Sequence, residues 1–82
     1  MSQVTYYVAL PFVFTDDGLS PGVAVECISA SSAIMQAKTL SMVEGHAGAV
    51  AFSRTGDPGA EIFKDVTVLK KFGDVPDDLS AL

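Results

Sequence analysis

From Val4 to Phe14 every second residue is large and apolar: Val4, Tyr6, Val8, Leu10, Phe12 and Phe14. Side chains alternate across a strand, so this row predicts a long strand with one apolar face. The segment therefore commits the chain to a sheet. Pro11 has no amide hydrogen to give to a ladder. It predicts a bulge or break at that point, or an edge position for the strand.

Thr15-Asp16-Asp17-Gly18 and Ser20-Pro21-Gly22 have the chemistry of turns, with Leu19 the one apolar residue between them. A second strand is expected from Val23 to Ile28, with Val23, Val25 and Cys27 on one side, closing a hairpin with a long connection. A helix is expected from about Ser31 to Glu44. Ser29, Ser31 and Ser32 can each accept from first-turn amides, and Gly45 is placed to end the helix in the left-handed conformation. Ala33, Ile34, Ala37, Leu40 and Val43 share a face, whereas Met35 and Met42 fall opposite, beside Lys38 and Thr39. Ala47 to Phe52 reads as a strand with a large row (Val50, Phe52) and a small one (Ala47, Ala49, Ala51). Val66 to Leu69 opens a last strand. The expected order is β-β-α-β-β in a single α+β domain over 1–73, one helix on one face of a mostly antiparallel four-stranded sheet. Residues 74–82 form an acidic tail, expected to be mobile.

One helix covers one face of such a sheet, and composition makes the other face a problem. Apolar residues are 49% of the 82 residues and charged ones 18%, against roughly 25% charged in an average domain. A chain this short buries only about 60% of the surface that it exposes when unfolded. If the Val4–Phe14 row lies under the helix, the opposite face carries Tyr7, Ala9, Val13, Ile28, Ala49, Ala51 and Leu69. A large exposed apolar face usually marks an interface. Tyr7, Ala9, Ala49, Ala51 and Leu69 are therefore the first candidate interface, and the Met35/Met42 side of the helix is the second.

Ten acids against five bases give a net charge of −5, which disfavours direct binding to nucleic acid. The longest apolar stretch, Tyr6 to Phe14, contains Pro11 and is far short of the ~20 residues that span a bilayer. Met1-Ser2-Gln3-Val4 lacks the basic start and apolar run of a signal peptide, so a cytoplasmic protein is expected.

Little in the chain points to chemistry. His46 is the one histidine, and its place after the helix-ending glycine suits a cap at the helix C-terminus better than a catalytic base. Cys27 is in phase with Val23 and Val25 and reads as a small buried apolar residue with an inert thiol. Asp16-Asp17 and Asp77-Asp78 lack the alternating oxygen ligands of a calcium loop, so neither a metal nor another cofactor is expected. The loop Arg54-Thr55-Gly56-Asp57-Pro58-Gly59 is the best candidate for a local site. Arg54 offers a planar fork to an anion, and Gly56 frees backbone amides beside it. Turn chemistry alone explains the same residues.

Ala49-Val50-Ala51-Phe52-Ser53-Arg54-Thr55-Gly56-Asp57-Pro58 and Leu69-Lys70-Lys71-Phe72-Gly73-Asp74-Val75-Pro76-Asp77-Asp78 resemble short bacterial proteins of uncharacterised function. That resemblance implies a bacterial origin and lends no activity. Tyr6-Tyr7-Val8, followed by a helix with Ala33 and Ala37 four apart, resembles HicB-type antitoxins. The chain departs from their Pro-Gly-Cys-type strand motif, since Ser20-Pro21-Gly22 runs into Val23, and no segment resembles their DNA-binding extension. Three readings of function follow. The first is a non-enzymatic interaction module that self-associates as a dimer. The second is a regulatory domain that binds a small anion at Arg54, Thr55, Gly56 and Asp57. The third, implied by the resemblance, is an antitoxin-like inhibitor of a basic protein partner.

Overall fold

The computed structural model describes residues 4–57 and 62–76, with side chains over 4–56 and 66–76. Five strands and one helix follow in the order β1 (Val4–Thr15), β2 (Gly18–Pro21), β3 (Val25–Cys27), α1 (Ala30–Ser41), β4 (Gly48–Asp57) and β5 (Ile62–Gly73). The sheet is antiparallel throughout, ordered β2-β1-β4-β5 with β3 also on β1. The α+β class and the single helix are as expected. The additional strand arises because one edge strand is broken in two.

Pro11 causes that break from a central strand, not from an edge. Its carbonyl accepts from the Gly22 amide at 2.8 Å, so its nitrogen also faces the edge. A hydrogen-bonded antiparallel pair exchanges two bonds, and Pro11 has no hydrogen for the second. Between the Ala9–Val25 and Phe12–Pro21 pairs the edge carries one residue more than β1 does. The surplus is a bulge at Gly22–Ala24. Val23, expected inside a strand, is thereby thrown out and is 84% exposed. The β1–β2 turn is tighter than expected. Thr15 pairs directly with Gly18, so Leu19, Ser20 and Pro21 belong to β2.

The helix starts one residue earlier than expected, with Ser29 as N-cap: its hydroxyl accepts from the Ser32 amide at 3.1 Å. Regular structure ends at Ser41, before Gly45. The amides of Met42 and Val43 turn back tightly onto Thr39 and Leu40, and Gly45, at φ +95°, then reverses the chain.

The largest correction concerns which sheet face the helix covers. Ala33 and Ala37 sit on Ala9, Ala49 and Ala51, and all five side chains are fully buried. Tyr7, Val25, Cys27, Ile34, Leu40, Leu69 and Phe72 close the sides of this thin core. Ala9, Ala49 and Ala51 are therefore covered by the chain's own helix, with Tyr7 and Leu69 partly buried against them, so this set is not the open face that was expected. A helix face built on two alanines fits closely against a row of alanines, whereas the bulky row would hold it away. The Val4–Phe14 row consequently points to the other side. There Leu10, Phe12, Val50 and Phe52 form a second core, with Val8, Leu19, Val66 and Val75 packed against it. Of the expected tail, residues 74–76 are described and Val75 packs back onto this core; residues 77–82 lie outside the described residues.

At one end of the sheet β4 and β5 cross through glycine. Gly48 pairs with Gly73, and a Cβ on Gly48 would collide with the backbone of Phe72 and Asp74. Three substitutions test this packing by urea denaturation. Ala51→Leu should destabilise the fold by about 1–3 kcal/mol through overpacking under the helix. Gly48→Ala should cost at least as much, because backbone rather than side chain must move. Ala51→Glu should unfold the protein.

Candidate functional site

Residues in phase on the helix-free face alternate along β1 and β4: Tyr6, Val8 and Leu10 on one, Val50, Phe52 and Arg54 on the other. Tyr6 faces Arg54, Val8 faces Phe52 and Leu10 faces Val50 across the ladder. Leu10 and Val50 are deeply buried, whereas Tyr6, Val8 and Arg54 are half-buried. The result is a solvent-open groove of about 420 Å³ lined by Tyr6, Val8, Leu10, Ala24, Glu26, Phe52 and Arg54.

The floor is apolar and the rim carries opposite charges. Arg54 lies 5.8 Å from the centre of the Phe52 ring, within cation–π range. Among the described residues it makes no ion pair. Glu26 stands across the groove on β3, opposite Val8, and is exposed. Lys71, opposite Val50 on β5, lies towards the other edge of the same face.

The anion-loop expectation is corrected by this arrangement. Arg54, Thr55, Gly56 and Asp57 lie in β4, paired on one side with β5. Arg54, Thr55 and Gly56 pair on the other side with Tyr6, Thr5 and Val4 of β1. They lie in paired strand and not in a loop whose amides converge on an anion. The Thr55 hydroxyl lies 3.0 Å from that of Thr5. Pro58 and Gly59 lie outside the described residues. Of the expected group only Arg54 belongs to the groove. Its partners there were missed, although Arg54 continues the Val50–Phe52 row and Glu26 is out of phase with Val25 and Cys27.

The second candidate interface, Met35 and Met42, stands exposed at 71% and 75%. His46 caps the helix: its Nδ1 is 2.7 Å from the Leu40 carbonyl, which can only accept, so Nδ1 carries the proton. Cys27 is half-buried under the helix side of β3. Burial pushes its thiol above the ordinary value, the nearby Glu26 charge adds to this, and a backbone hydrogen bond with Ala9 acts the other way. No group of three or more His, Cys, Asp or Glu among the described residues could hold a metal ion. No helix among them is long and apolar enough to cross a membrane.

The chain matches no protein-family model, no curated protein and no solved structure. The groove is accordingly read from its own geometry.

Two measurements probe these roles. Because the thiolate is the reactive form, Cys27 should react with iodoacetamide at pH 8 more slowly in the folded protein than in urea. Equal rates would mean that burial does not control the thiol. His46→Ala should cost about 0.5–1.5 kcal/mol of stability, the net worth of one hydrogen bond, in urea melts.

Proposed function

We propose that this protein is a non-enzymatic interaction module of the bacterial cytoplasm, and that two copies associate through the helix-free face of the sheet. The observation that carries this reading is the apolar surface left on that face. Phe14 and Val68 are 67% and 40% exposed there, beside half-buried Tyr6, Val8 and Val66 and the groove between them. The face is continuous with a packed core, so a partner sheet would extend existing packing.

The sheet edges suit association less well. One edge is short and bulged at Gly22–Ala24, and β5 carries Lys70 and Lys71 as well as a register irregularity facing Ala51 and Phe52. Charged side chains and bulges of this kind oppose strand addition. Face-to-face packing requires no free edge. A two-fold dimer is also the commonest assembly, since one patch then needs to complement only itself.

Light scattering at high micromolar concentration should return twice the chain mass. Val68→Glu places like charges in the interface of both copies and should release folded monomers, with the melting temperature of the monomer little changed. A wild-type protein that is a monomer under these conditions refutes the reading.

A further inference from the structure

A two-fold interface is reciprocal: whatever residue X of one copy meets on the other, the partner's X meets on the first. A patch that carries a single charge sign is therefore repelled by its own copy. The groove carries both signs, Arg54 on β4 and Glu26 on β3, with β1 between them. Strand spacing and rise put their backbone positions roughly 12 Å apart on the same face. An axis lying in the contact plane, along the perpendicular bisector of the line joining them, exchanges the two positions. It passes over the apolar floor at Tyr6, Val8 and Phe52.

We infer that Arg54 of each copy pairs with Glu26 of the other, and that these two equivalent ion pairs fix the register of the dimer. This rests on the self-association reading above. It accounts for a half-buried guanidinium that, among the described residues, has the Phe52 ring beside it and no carboxylate. The Phe52 ring, 5.8 Å from the guanidinium carbon, attracts the cation to the groove, while a facing carboxylate would take its donors. The apolar floor around both pairs would exclude water and strengthen them relative to surface pairs. Arg54 and Glu26 thus act as a selectivity element. They admit the one mutual orientation in which both charges are answered, and they disfavour slid or rotated contacts between the same apolar faces.

The logic is testable by charge exchange. Arg54→Glu alone should present two acidic clashes in its homodimer, and Glu26→Arg alone two basic ones. Each should weaken self-association by on the order of a hundredfold in Kd, read by analytical ultracentrifugation, with circular dichroism confirming the fold. Mixing the two variants one to one should restore a dimer, because the heterodimer contains two opposite-charge pairs. The double variant Arg54→Glu/Glu26→Arg should dimerise by itself. Recovery in both experiments supports the pairing, since loss of an unrelated contact cannot be repaired by a second lesion in the other copy.

Four outcomes overturn it. If the single variants dimerise as tightly as the wild type, the two charges do not meet, although the face itself can still be the interface. If the single variants fall apart and neither mixture nor double variant recovers, the charges matter separately and the reciprocal contact is wrong. A rise in melting temperature with octanoate that Arg54→Glu abolishes, while its dimer persists, gives the groove to a small carboxylate. A monomeric wild type removes both this inference and the reading beneath it.

Discussion

Ala33 and Ala37 lie against Ala9, Ala49 and Ala51 with no exposed surface on any of the five side chains, and this contact decides where everything else goes. Methyl groups let the helix approach the strands closely, and close packing is where dispersion and burial are gained. The consequence is an asymmetric molecule. Every bulky member of the alternating row, from Tyr6 to Phe14, is turned away from the helix. A second core then forms on the far side from Leu10, Phe12, Val50 and Phe52, with strand β2 and the Val75 segment contributing to it. The groove lies on this far side, which no helix among the described residues covers.

The sheet, the helix and their class were legible because each rests on a strong local signal. Period two from Val4 to Phe14 and the serine-led, alanine-striped segment after Ile28 need no knowledge of the rest of the chain. The face assignment was not legible by the rule that the larger apolar row belongs beneath the helix. That rule weighs area, whereas the helix selected shape, and its own Ala33 and Ala37 were the clue. The Arg54–Asp57 segment failed for a related reason. Thr-Gly-Asp-Pro-Gly has turn composition, yet the ladders on both sides hold Thr55 and Gly56 in strand, and local propensity yields to such pairing. With the segment read as a loop, Arg54 could not be placed in the row with Val50 and Phe52, and the groove could not be foreseen.

Pro11 shows how one residue can shape an edge that it does not occupy. Its missing hydrogen lies towards the β2/β3 side, and the edge answers with an additional residue at Gly22–Ala24. The bulge divides what would be one long edge strand into β2 and β3. The opposite edge is guarded by Lys70 and Lys71. Both devices disfavour strand addition at the edges, and Phe14 and Val68 stay exposed on the far face, which is the physical basis for the proposed face-to-face association.

The β1–β4 ladder has a kinetic consequence. It joins the first strand to a strand beyond the helix, Val4 meeting Gly56 and Phe12 meeting Gly48, whereas β1–β2 and β4–β5 join neighbours in sequence. Hairpins between neighbours close early, and ladders between distant segments carry the greater entropic cost of loop closure. The alanine seat for α1 is split across that late ladder, with Ala9 on β1 and Ala49 and Ala51 on β4. Neither hairpin alone offers the helix a complete surface, so docking of α1 must coincide with the meeting of the two halves. Assembly of this small domain is therefore concentrated in a single cooperative step, before which both alternating rows stand open to water and to other chains.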